Sequence, residues 1–179
     1  MRNKTDLELV ALLSTGKTDA LQELFVRYQQ KAFNIAYHTL GSAEAAEDVV
    51  METFIKLSET KHKITTDFSS YFYRMIVNRC YNYARRENKV LHLLSEEQVC
   101  TADNSDPYVI AVEAEAEAEA RKALDSLPIN QRTAFTLVRL EGMSYRESAR
   151  VMNISEKALE SLMSRARENL KKYYQSKEK

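Results

Sequence analysis

Near the C-terminus, Lys157, Glu160, Ser161, Ser164 and Arg165 recur at three- and four-residue intervals, so they share one face if the segment is helical. Their chemistry suits the edges of base pairs. Arg and Lys match guanine acceptors and phosphates, Ser bonds either, and a carboxylate accepts from cytosine. Ser155, just upstream, has the side chain of a helix N-cap. A plain helical hairpin with a wet polar face would carry the same residue types, and this pattern alone leaves both readings open.

A face that reads bases must be held rigidly. Ala158, Leu159, Leu162, Met163, Ala166 and Leu170 form an apolar stripe on the other side of the same predicted helix. Upstream, Ser144-Tyr-Arg-Glu147 has the form of a capping box and opens a shorter helix. Between the two, Met152-Asn153-Ile154 places Asn at a corner that needs a positive φ, which Asn tolerates better than any residue but Gly. Two helices joined by such a turn make a helix-turn-helix, whose second helix enters the major groove by its N-terminal part.

The chain of 179 residues has Gly at 3 positions and Pro at 2, which favours helices over a turn-rich β fold. No apolar run approaches the ~20 residues of a membrane span, and MRNKTDLELV lacks a signal-peptide core, so a cytoplasmic protein without membrane insertion is expected. Cys80 and Cys100 form no disulfide framework, and with His38, His62 and His92 scattered no metal site is expected. A Gly-rich phosphate loop and a nucleophile constellation are both absent, which argues against an enzyme or a bound cofactor. Zero net charge conceals an asymmetry: residues 1–87 sum to +1, 88–120 to −7 and 121–179 to +6. The basic block fits a phosphate footprint, and a solvated helix surface gives similar counts. Glu113, Glu115, Glu117 and Glu119 could compete with DNA for that basic block, in which case neutralising them should raise DNA affinity; a solvated acidic helix is the alternative.

Along the chain, Thr5-Asp-Leu-Glu8 forms a capping box for a short helix ending near Gly16. Thr18 or Asp19 caps a longer helix ended by Gly41, Ser42 starts a third running to about Glu59, and Phe68 opens a fourth through about Arg86. Residues 88–108 read as a linker with one short helical turn at Ser95. The repeat VEAEAEAEAEA has period two, yet Ala and Glu favour helix over strand. Pro128 marks the next helix start and Gly142 its end. The expected fold is all-α: two small helical domains, 1–87 and 109–179, joined by a flexible linker, the second a helix-turn-helix.

In the third helix Ala46, Val50, Thr53, Phe54 and Leu57 lie on one side as core, while Asp48, Met51, Glu52 and Ile55 share the opposite side. Apolar residues rimmed by charge often mark a protein contact, although scattered surface hydrophobes are also common. In the fourth helix aromatic residues interleave with cations, a combination that can hold a nucleic-acid backbone and stack unpaired bases. Phe68 and Phe72 share a stripe with Met75 and Arg79 and are expected to pack inward.

These segments resemble the extracytoplasmic-function (ECF) family of bacterial RNA polymerase sigma factors. The likeness rests on Leu127-Pro128…Arg132, Leu140-Glu-Gly142-Met-Ser144-Tyr145-Arg-Glu147-Ser-Ala149 and Ser164-Arg165-Ala166-Arg167 in the second half. In the first half it rests on Asp48-Val-Val-Met51-Glu-Thr-Phe54 and on Phe68, Tyr71, Phe72, Tyr73, Arg74, Met75 and Asn78. The chain departs from the family's usual residues at Asn153, Glu160, Leu162, Met51 and Tyr71, where Gly, Lys or Arg, Gln and Trp are common.

The resemblance implies an initiation subunit whose partners are core RNA polymerase (the β′ clamp helices and the β subunit) and promoter DNA. Asp48, Met51, Glu52 and Ile55 would meet β′. Lys61, Lys63, Tyr71, Arg74 and Asn78 would serve the −10 element, and Ser155, Lys157, Glu160, Ser161, Ser164 and Arg165 the −35 element. Family members are often held by an anti-sigma protein, which the resemblance permits. The alternative is a stand-alone helix-turn-helix regulator that never engages polymerase.

Overall fold

The computed structural model describes residues 3–59, 67–94 and 113–177. The short helix α1 (Asp6–Leu13) starts at the expected capping box: the Glu8 N–H donates to Thr5 Oγ1, and the Glu8 carboxylate accepts from the Thr5 N–H at 2.7 Å. It is tied to α2 (Thr18–Leu40) by Asp6, which accepts from Arg27 at 2.8 Å and from the Tyr28 hydroxyl. Lys17, not Thr18 or Asp19, is the N-cap of α2, with no side-chain hydrogen bond. Both expected caps sit inside the first turn, where the acid of Asp19 still favours the helix dipole. Gly41 ends α2 with φ 80°, and its N–H donates to Tyr37 O at 2.8 Å.

The Ser42 hydroxyl accepts from the Ala45 N–H at the start of α3 (Ala43–Glu59), and Asp67 accepts from the Ser70 N–H at the start of α4 (Phe68–Leu94). Helices α2, α3 and α4 pack around Leu24, Tyr28, Ile35, Phe54, Leu57, Phe72 and Ile76. Aromatic rings knit this centre: Phe54 and Phe72 lie 4.9 Å apart, Tyr28 and Phe68 5.1 Å. As expected, Phe68 and Phe72 are buried. α4 runs on to Leu94, into the stretch assigned to the linker, and the helical turn expected at Ser95 lies outside the described residues.

The alternating Glu-Ala segment is indeed helical, as α5 (Glu113–Asp125). Pro128 then precedes α6 (Ile129–Phe135), which continues into a π-helical segment, Thr136–Leu140, closed by the Glu141 N–H donating to Thr136 O. Helix α7 (Tyr145–Met152) and helix α8 (Glu156–Lys177) follow, and Ala134, Ala149, Leu159 and Met163 form a second buried cluster among α6, α7 and α8.

The two halves also share a seam. Leu137, Met143 and Val151 are buried in the cluster of the N-terminal helices, not in that of their own half. α4 packs on α7, and α2 on α6 and the π segment. The π segment serves both clusters: Leu137 goes to the N-terminal one, while Val138 and the preceding Phe135 pack against the C-terminal one.

Candidate nucleic-acid interface

The helix-turn-helix is built as its residue types dictate. Ser144 caps α7, with its hydroxyl accepting from the Glu147 N–H and the Glu147 carboxylate accepting from the Ser144 N–H at 2.9 Å. Asn153 turns the corner with φ 55°, and it is the one non-Gly residue with positive φ among the described residues. The Ser155 hydroxyl accepts from the Ala158 N–H at 3.1 Å and starts α8. Leu159, Met163 and Ala166 are buried beneath that helix, whereas Lys157, Glu160, Ser161, Ser164 and Arg165 all stand exposed. The two arginines of the Ser164–Arg167 motif therefore differ in kind. Arg165 faces solvent, while Arg167 donates to the Tyr145 hydroxyl at 3.2 Å and ties α8 to α7.

The capping box carries a testable consequence. Ser144→Ala should cost about 1 kcal/mol of stability, read by urea unfolding; no change would show that the cap is idle. Hydrogen bonds from the Ser144 hydroxyl and N–H hold the Glu147 carboxyl below the usual carboxylate range, and those from Thr5 do the same for Glu8. A depressed carboxyl stabilises the fold above its unfolded-state pKa, and that contribution is lost as pH falls through the folded value. Acid titration of the wild type should therefore destabilise it more than a Glu147→Gln variant.

Among the described residues, the acidic stretch does not cover the outer face of α8. Glu119 pairs with Lys177, near the opposite end of α8 from Lys157, and Glu117 is solvated. The side chains of Glu113 and Glu115 lie outside the described residues.

In the N-terminal half, Asp48, Met51, Glu52 and Ile55 form the expected outward stripe on α3, with Met51 54% and Ile55 50% exposed. Glu52 is held across the groove by Arg79 of α4, whereas Asp48 makes no ion pair among the described residues. Asp48 and Glu52 border a cavity of about 420 Å³ between α3 and α4, also lined by Arg79, Asn82, Tyr83 and Arg86. The partnership of Arg79 with Glu52 was not legible in sequence, because it joins residues on different helices. On α4, Tyr71 and Arg74 are half-buried, with the guanidinium 5.9 Å from the ring centre, and Asn78 is exposed. Lys61 and Lys63 lie outside the described residues. No helix among the described residues is long and apolar enough to cross a membrane.

Comparison with known proteins accounts for both halves. Residues 24–90 match the family Sigma-70 region 2, and residues 117–170 match Sigma-70, region 4. The chain is 30% identical over 176 residues to the ECF RNA polymerase sigma-E factor of Escherichia coli, covering 92% of this chain and 91% of that one. It is 28% identical over 172 residues to the ECF sigma factor SigM of Mycobacterium tuberculosis, covering 93% and 83%. Among solved structures, CnrH in complex with the cytosolic domain of CnrY superposes with a TM-score of 0.68 at 23% identity, over 96% of this chain and 97% of that one. The sigma factor RpoE of Bartonella quintana, solved with the anti-sigma factor NepR, gives 0.66 at 19% identity, over 86% and 96%. The latter two establish the fold alone. With both sigma-70 regions in order and a curated relative matched along nearly its whole length, the chain belongs to the ECF family of RNA polymerase sigma factors, which promote transcription initiation and are not enzymes.

Proposed function

We propose that this sigma factor divides its work between its two halves, residues 1–87 and 109–179. The α3 stripe Asp48, Met51, Glu52 and Ile55 docks on the β′ clamp helices, and the second half meets the β subunit and the −35 element. The outer face of α8, from Ser155 to Arg165, lies in the −35 major groove, where Lys157 and Arg165 supply cations and Glu160 an acceptor for cytosine. Tyr71, Arg74 and Asn78, with Lys61 and Lys63 of the preceding segment, hold the opened −10 strand. The observation that carries this reading is that the α3 stripe and the α8 face are both exposed, each backed by a buried apolar stripe.

Run-off transcription tests it: purified protein, core RNA polymerase lacking sigma, and DNA from upstream of the protein's own operon. A discrete transcript that requires this protein supports the reading. Absence of any complex with core would move the assignment to a stand-alone regulator, which instead binds duplex DNA tightly by itself with a steep salt dependence. Within the active complex, Arg165→Ala should cost about 1–3 kcal/mol of promoter affinity and relax selection at one −35 position. Equal competition by all single-base promoter variants, before and after the substitution, would remove Arg165 from the reading set.

An anti-sigma partner is also proposed, since CnrH and the Bartonella RpoE were both solved with a bound protein, in the second case one named as an anti-sigma factor.

A further inference from the structure

The α3 stripe carries two acids one helical turn apart, and they stand in different circumstances. Asp48 makes no ion pair among the described residues, whereas Glu52 accepts through Oε2 from Nη1 of Arg79 on α4. The two sides of that pair differ in burial: the Arg79 side chain is 26% exposed, that of Glu52 60%. Arg79 lines the cavity between α3 and α4, and the residues one turn before and after it on α4, Met75 and Tyr83, are half-buried too. Packing therefore orders the Arg79 stem before any partner arrives.

An ion pair with one exposed member adds little to folding stability. Its effect on Glu52 is larger. A glutamate on an exposed helix face samples many rotamers, and a partner that binds it must first stop that motion. In this chain Arg79 has already stopped it. Only Oε2 is engaged; Oε1 accepts no hydrogen bond among the described residues, so the carboxylate is held in one orientation with one oxygen open to a second donor. The pairing also offsets the repulsion between carboxylates four residues apart.

We propose that Arg79 is a positioning residue for polymerase binding: it fixes the Glu52 carboxylate across the α3–α4 groove, ready for a cationic side chain of core polymerase. This rests on the reading of the α3 stripe as the polymerase contact. It gives the two acids different roles. Asp48 offers an unpaired charge, while Glu52, its charge already balanced, offers a fixed geometry.

The test is fluorescence anisotropy of the labelled full chain with core polymerase, without DNA. Measurement at about 0.3 M salt, where the charge lost with Arg79 is largely screened beyond contact distance, separates ordering from long-range attraction. Arg79→Met keeps an unbranched apolar stem and removes the guanidinium. It should weaken binding about 3- to 10-fold, the effect of ordering one long side chain, with urea unfolding little changed. Arg79→Gln should behave in the same way, so that a folding defect of one variant cannot mimic the result. Arg79→Lys, which keeps a cation but as a flexible point charge, should recover at least half of the loss. In a Glu52→Ala background, Arg79→Met should have no further effect, so that the two sites are fully coupled. Full affinity in Arg79→Met while Glu52→Ala is impaired overturns the positioning role and leaves Glu52 acting alone. An equal loss in both backgrounds also overturns it, since Arg79 would then act without Glu52. Unchanged affinity in both Glu52→Ala and Asp48→Arg removes the α3 stripe itself from the interface, and Arg79 then has no contact to serve.

Discussion

Asp48→Arg should weaken binding to core RNA polymerase at least about 30-fold, the equivalent of the 2 kcal/mol that marks an interface hot spot, and should remove the run-off transcript. Asp48 is the exposed acid of the α3 stripe that has no ion-pair partner among the described residues, since Arg79 engages Glu52. It is therefore free to meet a cation on a partner, and its reversal puts a positive charge at a groove already lined by Arg79 and Arg86. Arg is also the better helix former, so lost binding cannot be blamed on a weakened α3. Fluorescence anisotropy with labelled protein and core polymerase measures the change. Affinity within threefold of wild type would show that the α3 stripe is not the polymerase contact.

Phe72→Ala should cost about 3–5 kcal/mol of stability, the largest single loss available in the N-terminal half. Phe72 is fully buried, and its ring centre lies 4.9 Å from Phe54, 5.4 Å from Tyr28 and 5.8 Å from Phe68 and Tyr73. Truncation removes one partner from every one of those pairs and leaves a cavity where three helices meet. Against the roughly 5–15 kcal/mol that typically holds a domain together, such a loss is a large fraction of the whole. Urea unfolding of the full chain, followed by circular dichroism, reads it directly. Tyr71→Ala is the control, because that ring is half-buried and its loss should fall mainly on −10 binding. A cost below about 1.5 kcal/mol for Phe72→Ala would mean that the aromatic cluster repacks around the gap, as volume-tolerant cores do.

Much of this fold was legible because its signals are local. A capping box needs residues three apart, so Thr5 to Glu8 and Ser144 to Glu147 could be read directly, as could the positive φ of Asn153. Exposure of the α3 stripe and the α8 face followed from helical spacing in the same way. Lys17 defeated the rule at α2, where Thr18 and Asp19 had better capping chemistry but fell inside the helix. The length of α4 was underestimated because the polar run after Arg86 reads as linker, although it is helical to Leu94. The π turn has no breaker residue to announce it. The seam was hidden for a different reason: Lys31 to Glu141 and Arg121 to Gly41 join residues far apart in sequence. Arg132 was visible as a motif residue, yet nothing local revealed that it serves both Asp125 in its own half and Thr39 in the other.

The exposure of the side chains proposed to read the promoter bears on how such a protein can diversify. Lys157, Glu160, Ser161, Ser164 and Arg165 are exposed, while Leu159, Met163 and Ala166, interleaved with them, are buried beneath the helix. Substitutions on the first set change stability by no more than about 0.5 kcal/mol, so they are nearly invisible to selection on folding. Duplicated copies of the gene can drift in promoter choice while the buried set stays under constraint. For an engineer, randomising those five positions gives a library in which most members fold, so a screen for new promoters samples specificity and spends few clones on misfolded chains.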